Sequence, residues 1–263
     1  MKEAHNNSNA KKFGMVIDLD KCTGCGACMV ACMSENNVPF REDETDKLLS
    51  LAWLRVYKLT NGKPFPDTDV CYLPRPCMHC EGSHGHSPCV SVCPATATDY
   101  DMGTGIVSQI YTRCFGCRYC MAGCPYHVRL FNWWDPVWPE GMTQYLSPRV
   151  SVRMRGVVEK CSFCIHRYQA AVEKAHYEER DDIEEHEYQT ACTQACPAGA
   201  ITFGDLNNHD HAVYALKKKP DTFRLLERLG TNPKVYYHSS REWVRRAGDN
   251  YVKGEGLVKS HET

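Results

Sequence analysis

This 263-residue chain has no run of 18 or more apolar residues, the length that a membrane-spanning helix requires. It has no basic excess either, with 31 Lys plus Arg against 32 Asp plus Glu and a formal charge of −1. Nucleic-acid binders carry a clear basic surplus, so that class is disfavoured. The amino end up to Lys12 is polar and lacks the apolar core of a secretory signal. There is no Gly-rich phosphate loop, dinucleotide fingerprint or Ser/His/Asp arrangement, and no residue is a candidate for catalysis.

What is abundant is cysteine: 17 residues, in a chain far too long to be a disulfide-stapled miniprotein. The length leaves room for one large domain or two small ones with a real core. Without a signal, the first expectation is a cytoplasmic setting, where thiols stay reduced and clustered cysteines serve metal or redox chemistry.

Sixteen cysteines fall into four groups. The first is Cys22, Cys25, Cys28 and Cys32, and the third is Cys114, Cys117, Cys120 and Cys124, both spaced C-x2-C-x2-C-x3-C. The second, Cys77, Cys80, Cys89 and Cys93, carries an eight-residue loop in its middle, and the fourth, Cys161, Cys164, Cys192 and Cys196, a 27-residue insertion. Cys71 stands apart. Groups two to four end in Cys-Pro, whereas Cys32 precedes Met33.

These spacings point to iron–sulfur clusters. C-x2-C-x2-C wraps three thiolates around one cluster, and the fourth Cys of such a run ligates the other cluster of a pair. The following Pro lacks an N–H and turns the chain away. Small residues between ligands (Gly24, Gly26, Gly116, Gly123) let backbone amides approach the sulfurs. A zinc site prefers two separated C-x2-C knuckles, and adjacent C-x2-C-x2-C runs make a poor disulfide framework.

Two groups that exchange their last cysteine make one two-cluster unit, so four groups imply two units and four clusters. The second and third groups are neighbours in sequence, which leaves the first and fourth to pair around them. The expected ligand sets are Cys22, Cys25, Cys28 with Cys196; Cys161, Cys164, Cys192 with Cys32; Cys77, Cys80, Cys89 with Cys124; and Cys114, Cys117, Cys120 with Cys93. The expected fold is α+β: two pseudo-symmetric, bacterial-ferredoxin-like units, one nested inside the other, with a helical insertion and a C-terminal extension. The boundaries are 13–62 with 150–204 for the outer unit, 63–149 for the inner unit and 205–263 for the extension. Strands are expected at 13–19, 54–59, 70–73 and 105–112, and helices at 27–34, 118–122, 168–187, 211–219 and 222–229, followed by a polar tail.

The chain resembles the four-cluster iron–sulfur subunits of the molybdopterin-oxidoreductase superfamily. The likeness is carried by Asp20-Lys-Cys-Thr-Gly-Cys-Gly-Ala-Cys28, Cys77-Met-His-Cys80, Arg113-Cys-Phe-Gly-Cys-Arg-Tyr-Cys-Met-Ala-Gly-Cys-Pro-Tyr126, Glu159-Lys-Cys-Ser-Phe-Cys164 and Ala195-Cys-Pro-Ala-Gly-Ala-Ile201. The ending Phe203-Gly-Asp-Leu206, with residues 225–237 after it, is most similar to the quinone reductase complex and alternative complex III branch.

The resemblance implies a non-catalytic electron-transfer subunit of a membrane-bound menaquinone oxidoreductase. Its partners would be an integral membrane quinone-binding subunit and a molybdopterin-type or multihaem cytochrome c subunit. Four [4Fe–4S] clusters are the default, with [3Fe–4S] at one site as the alternative. The implied location is peripheral on the membrane, on the periplasmic side through co-export with a signal-bearing partner; the cytoplasmic side is the alternative. A free-standing soluble polyferredoxin is the competing function.

Other features have plainer readings. His79, His84 and His86 suggest a solvated loop at 81–88, with His79 packed near its cluster and an extra metal or proton role as the alternative. Cys71 reads as a small buried hydrophobe. The acidic run 178–187 reads as a solvated face, with docking to a basic partner second. Trp133, Trp134 and Trp138 read first as core packing over the clusters and second as a subunit interface.

Overall fold

The computed structural model describes residues 11–39, 51–83 and 85–250, so His84 and the tail beyond 250 lie outside it. β1 (Phe13–Asp18) runs into the first Cys group, and α1 (Ala27–Glu35) carries that group's last two cysteines. A hairpin of β2 (Arg55–Thr60) and β3 (Val70–Arg75) leads to the second group, where α2 (Pro88–Ser91) holds Cys89. β4 (Thr98–Tyr100) and β5 (Val107–Gln109) follow, then α3 (Tyr119–Ala122) within the third group. β6 (Leu130–Phe131) pairs with β7 (Val158–Glu159) just before the fourth group. α4 (Ile165–Tyr177) and α5 (Ala191–Gln194) span that group's insertion and its third cysteine. β8 (Ile201–Asp205), α6 (Ala212–Lys217), β9 (Thr222–Phe223), β10 (Val235–His238) and α7 (Glu242–Asn250) complete the chain.

Strand pairing decides which cysteine groups meet. β8 leaves the fourth group and pairs antiparallel with β1, which enters the first, from Phe13 opposite Asp205 to Ile17 opposite Ile201. β4 leaves the second group and pairs antiparallel with β5, which enters the third. The helices repeat the pattern: α1 packs on α5, and α2 on α3. Mixed helix and strand in ferredoxin-type units is therefore what the chain adopts.

β1 is central in a sheet ordered β8-β1-β10-β9, parallel to β10 and antiparallel to β8. Its Phe-Gly-Met-Val-Ile stretch is buried on both faces, as an apolar run without alternation should be. Gly14 is required there, because a Cβ would lie 2.5 Å from both Leu206 and the Lys234 carbonyl. Phe13, Tyr188 and Phe203 form a buried aromatic cluster with ring centroids 4.8 to 5.8 Å apart, each worth about 2–3 kcal/mol of burial. The Tyr188 hydroxyl donates to the Phe163 carbonyl at 2.6 Å, which ties this core to the fourth group.

Four local expectations need correction. The helix expected at 168–187 is α4, and it stops at Tyr177 because nothing apolar continues its buried face of His166, Ala171 and Ala175. Glu179 then takes φ 55° and the Arg180 amide donates back to Ala175. The helix expected at 222–229 is instead β9 plus a 3-10 turn, because Thr222 and Phe223 are captured by β10 and Leu226 takes φ 50°. The strand expected over 105–112 covers only Val107–Gln109, after which a 3-10 turn at Tyr111–Arg113 swings the chain toward Cys114. Part of the polar tail is α7, which packs Val244, Ala247 and Gly248 over Leu19, Phe223 and Leu225.

Candidate metal centres

The four groups share one backbone device. The residue two positions after each leading cysteine has positive φ: Gly24 at 74°, His79 at 44°, Gly116 at 78° and Phe163 at 53°. This left-handed residue curls the loop so that the next cysteine faces the same side as the first. Space dictates glycine twice, since a Cβ at Gly24 would meet the Tyr72 ring at 2.5 Å and one at Gly116 the Gly156 carbonyl at 2.3 Å. A second left-handed residue, Gly26 or Arg118, starts α1 and α3.

Each group places its last thiol beside the mate group. Cys22, Cys25, Cys28 and Cys196 line one cavity, and Cys93, Cys114, Cys117 and Cys120 line another. Burial, then Cys161, Cys164 and Cys192, push the Cys32 thiol well above its ordinary pKa. Burial, then Cys77, Cys124 and Cys89, do the same to Cys80. Thiols packed this way resist ionising alone, and Cys28 is lifted to about 11, first by burial and then by Cys22 and Cys196. A cationic core would reverse that penalty, so metal binding and folding are coupled here.

Two of the cavities each gather four cysteine thiols, the donor set of an iron–sulfur cluster. All 17 cysteines are free thiols. Among the described residues no three His, Cys, Asp or Glu side chains converge tightly enough for a single metal ion. A tetrahedral zinc site would need sulfurs about 2.3 Å from one ion. Hydrogen-bond donors also surround the sulfurs in matching places. The Ala97 amide reaches Cys93 Sγ at 3.2 Å and the Ala200 amide Cys196 Sγ at 3.3 Å, each just past a Cys-Pro step. Hydroxyls ahead of α2 and α5 do likewise, Ser87 lying 3.5 Å from Cys89 Sγ and Thr190 3.2 Å from Cys192 Sγ. Asn36 Nδ2 sits 3.8 Å from both Cys32 and Cys164 sulfurs. Such donors favour the thiolate and tune a cluster's potential.

The sites also touch one another. His79 is buried and stacks on Phe163 at 3.6 Å and 15°, and its Nδ1 accepts the Val107 amide at 3.1 Å. These rings belong to the second and fourth groups, and after burial it is Cys77 that raises the Cys161 thiol most. Cys28 similarly acts on both Cys32 and Cys192. Cys89 and Cys120 both act on Arg129. Cys25 and Cys117 are exposed, whereas Cys32, Cys77, Cys161 and Cys192 are buried.

The remaining sequence features sort as follows. Cys71 is buried in β3. His86 is exposed in the second-group loop, which Thr231 and Asn232 carbonyls pin at the Gly82 and Glu81 amides. The acidic run is largely self-paired: Arg180 binds Glu178 at 2.7 Å and Glu187 at 2.8 Å, and Lys174 binds Glu187 at 3.0 Å. Core packing for the Trp cluster needs correction. Trp133 is 37% exposed, packed edge-on to Phe131 at 4.6 Å under Arg118. The sequence reading missed four buried cations, Arg129, Arg153, Lys160 and Lys234, because Lys and Arg are ordinarily surface residues.

Comparison with known proteins agrees with this geometry. A family profile described as "4Fe-4S dicluster domain" matches residues 68–140, and one described as "4Fe-4S binding domain" matches residues 13–34. The chain is 63% identical to the menaquinone reductase iron-sulfur cluster-binding subunit of Nitratidesulfovibrio vulgaris, over 93% of this chain and 95% of that one. It is 36% identical to the Hdr-like menaquinol oxidoreductase iron-sulfur subunit 1 of Archaeoglobus fulgidus, over 86% and 83%. It is 32% identical to the arsenate respiratory reductase iron-sulfur subunit ArrB of a Shewanella strain, over 86% and 95%. With four sets of cysteines for four [4Fe–4S] clusters, the chain belongs to the ferredoxin-type iron–sulfur subunits of the molybdopterin-oxidoreductase superfamily, the electron-transfer subunits of respiratory complexes.

Proposed function

We propose that this chain relays electrons through a menaquinone-linked membrane complex, between a cytochrome or molybdopterin-type subunit and an integral membrane quinone-binding subunit. The ligand sets would be Cys22, Cys25, Cys28 with Cys196; Cys32 with Cys161, Cys164 and Cys192; Cys77, Cys80, Cys89 with Cys124; and Cys93 with Cys114, Cys117 and Cys120. The observation that carries the ligand assignment is the meeting of each group's last thiol with the mate group. The two units would then be nested, the inner one at 63–149 between the outer halves 13–62 and 150–204, with 205–263 as the extension. The division near 62 falls in the turn between β2 and β3.

When bound, the clusters supply one-electron acceptance and release. The protein holds the thiolates, excludes water from the middle and leaves the two ends open. The order Cys22 set, Cys161 set, Cys77 set, Cys114 set follows from which thiols neighbour which, and the stacked His79 and Phe163 rings fill the gap between the middle two. The exposed Cys25 and Cys117 then mark opposite ends of the path.

The Cys117 end is the one we assign to the integral membrane subunit. Phe115, Tyr119, Trp133 and Met154 are exposed there, and Asn132 holds the Met154 carbonyl at 3.1 Å beside Trp133. Apolar and aromatic side chains of this kind anchor subunit interfaces. No helix among the described residues is long and apolar enough to cross a membrane, so attachment would come from that partner, on the periplasmic side by co-export. Mild detergent extraction of the native membranes tests the proposal: the chain should purify with an integral membrane subunit. Recovery as a stable lone monomer would instead favour a free-standing polyferredoxin. Protease protection in sealed spheroplasts tests the side.

A further inference from the structure

The charges around the four sites are unevenly distributed. The cavity of the Cys22 set has no charged residue in its lining. Near the Cys161 set two of the three cations are paired, Arg153 with Glu159 at 3.1 Å and Arg167 with Glu35 at 2.6 Å, while Lys160 is not. The Cys77 set differs, because it faces three cations buried to 2% exposure or less: Lys234, Lys160, which also faces Cys161, and Arg129, which also touches Cys120 of the Cys114 set.

Arg129 spends Nη1 on Thr98 at 3.1 Å and Gln109 at 2.9 Å, both neutral groups. Its Nη2 finds no nitrogen or oxygen acceptor and lies beside the Cys120 thiol, with Cys89 and Cys77 nearby. Lys160 donates to the carbonyls of Val107 and Cys161, again neutral, and faces the thiols of Cys77, Cys161 and Cys89. Lys234 lies over the Tyr100 ring at 4.6 Å, and its Nζ has no hydrogen-bond acceptor at all. The one carboxylate near it, Glu81, is already held by Lys12 at 2.8 Å.

Burying an unpaired cation is costly unless an anion compensates it, and with no anion in place burial lowers the pKa of Lys160 and brings that of Lys234 down to about 7. Thiols are the main groups of opposite charge that these cations face, and they become thiolates only around a bound cluster. The reduced form of a cluster carries one more negative charge than the oxidised form, so nearby buried cations favour reduction. We propose that Arg129, Lys160 and Lys234 are positioning residues that make the cluster of Cys77, Cys80, Cys89 and Cys124 the highest in potential of the four. The first electron to enter the relay then rests in the buried middle of the chain, beside the His79–Phe163 stack.

The inference rests on the ligand assignment above, and the test separates the two. The complete cluster-loaded chain is titrated electrochemically and followed by EPR, with the centre identified as the one lost or altered in Cys124→Ala. In the unsubstituted chain that centre should be reduced first. Lys234→Met should lower its potential by the equivalent of a tenfold change in the reduction equilibrium, 59 mV for one electron, and move the other three by less. Lys234→Arg should restore it. Should Lys234→Met hold too little iron to titrate, Glu81→Gln serves instead. It removes a half-exposed negative charge and should move the same centre upward. A full iron content with the potential order unmoved by these changes would overturn the inference and leave the assignment standing. Loss in Cys124→Ala of the centre that Cys114→Ala removes, rather than the one that Cys77→Ala removes, would overturn the assignment itself.

Discussion

The pair formed by the first and fourth cysteine groups and the pair formed by the second and third are built alike but embedded differently. Both place a left-handed residue after the leading cysteine, a hydroxyl ahead of the third cysteine of groups two and four, and an amide on the sulfur just past Cys-Pro. The first-and-fourth pair rests on a four-stranded sheet and an aromatic core, with Arg153 and Arg167 each paired to a carboxylate. The second-and-third pair has a two-stranded ribbon, unpaired buried cations and an exposed aromatic edge at Phe115 and Tyr119. Local backbone geometry therefore sets where a cluster sits, and the embedding sets its electrostatics and its access to partners.

The largest expected effect tests whether the two pairs exchange ligands in the same way. Cys196→Ala should damage the cluster of Cys22, Cys25 and Cys28, and Cys124→Ala that of Cys77, Cys80 and Cys89. EPR and iron analysis read both. Damage to the cluster of Cys161, Cys164 and Cys192 in Cys196→Ala would break the correspondence.

Next come the equivalent left-handed positions. Gly116→Ala places a Cβ against the Gly156 carbonyl and should cost at least about 2 kcal/mol in chemical denaturation, from backbone strain plus the clash. Gly26→Asn, at φ 76° with open space around it, should cost about 1 kcal/mol or less, because the matching position in the other pair already carries Arg118. Equal costs at both positions would mean that the close approach to Gly156 does not matter.

A smaller effect concerns pH, and only the first-and-fourth pair. The Arg167 guanidinium, with His166 beside it, holds the Glu35 carboxyl down at about 2 despite partial burial. A depressed pKa stabilises the fold above the ordinary carboxylate value, and that contribution is lost as pH falls from about 4.5 toward 2. Solvent screening limits it to about 1 kcal/mol. Arg167→Met should therefore start cluster bleaching at higher pH than the unsubstituted chain, read by visible absorbance. Identical acid profiles would show that this ion pair does not secure α1 to α4.

The smallest effect is expected at Cys71. Its thiol is buried in β3 and pushed up to about 11, chiefly by burial. Cys71→Ala should leave all four EPR signals and the iron content unchanged and cost about 1 kcal/mol for the small cavity. Loss of iron would make it a ligand.

Much of the site was legible because cysteine spacing is short-range information. Cys22 through Cys28 and Cys114 through Cys120 each wrap one site within a few residues, and Cys-Pro marks the turn away. β1 and the β2–β3 hairpin were legible from β-rich runs, and α1 from the segment crossing Cys28 and Cys32. The acidic stretch after Tyr177 misled, since Ala, Glu and Lys favour a helix that no apolar face sustains there. Thr222 and Phe223 were read into a helix by the Leu-rich stretch that follows them, although both favour strands and pair with β10. α7 was missed although Trp243, Val244 and Ala247 share a face.

By itself, then, the order of residues determined the number of clusters, and from chain reach and ligand count it led to an expected set of thiols and an expected pairing of the groups. Only the tertiary structure decided which sites lie side by side, that His79 stacks on Phe163, and that the exposed apolar side chains gather around Cys117. It alone revealed Arg129, Lys160 and Lys234 buried among the thiols, with the Cys77 set faced by all three. Burial and unpaired charge belong to no single residue, because they depend on everything else that packs against it.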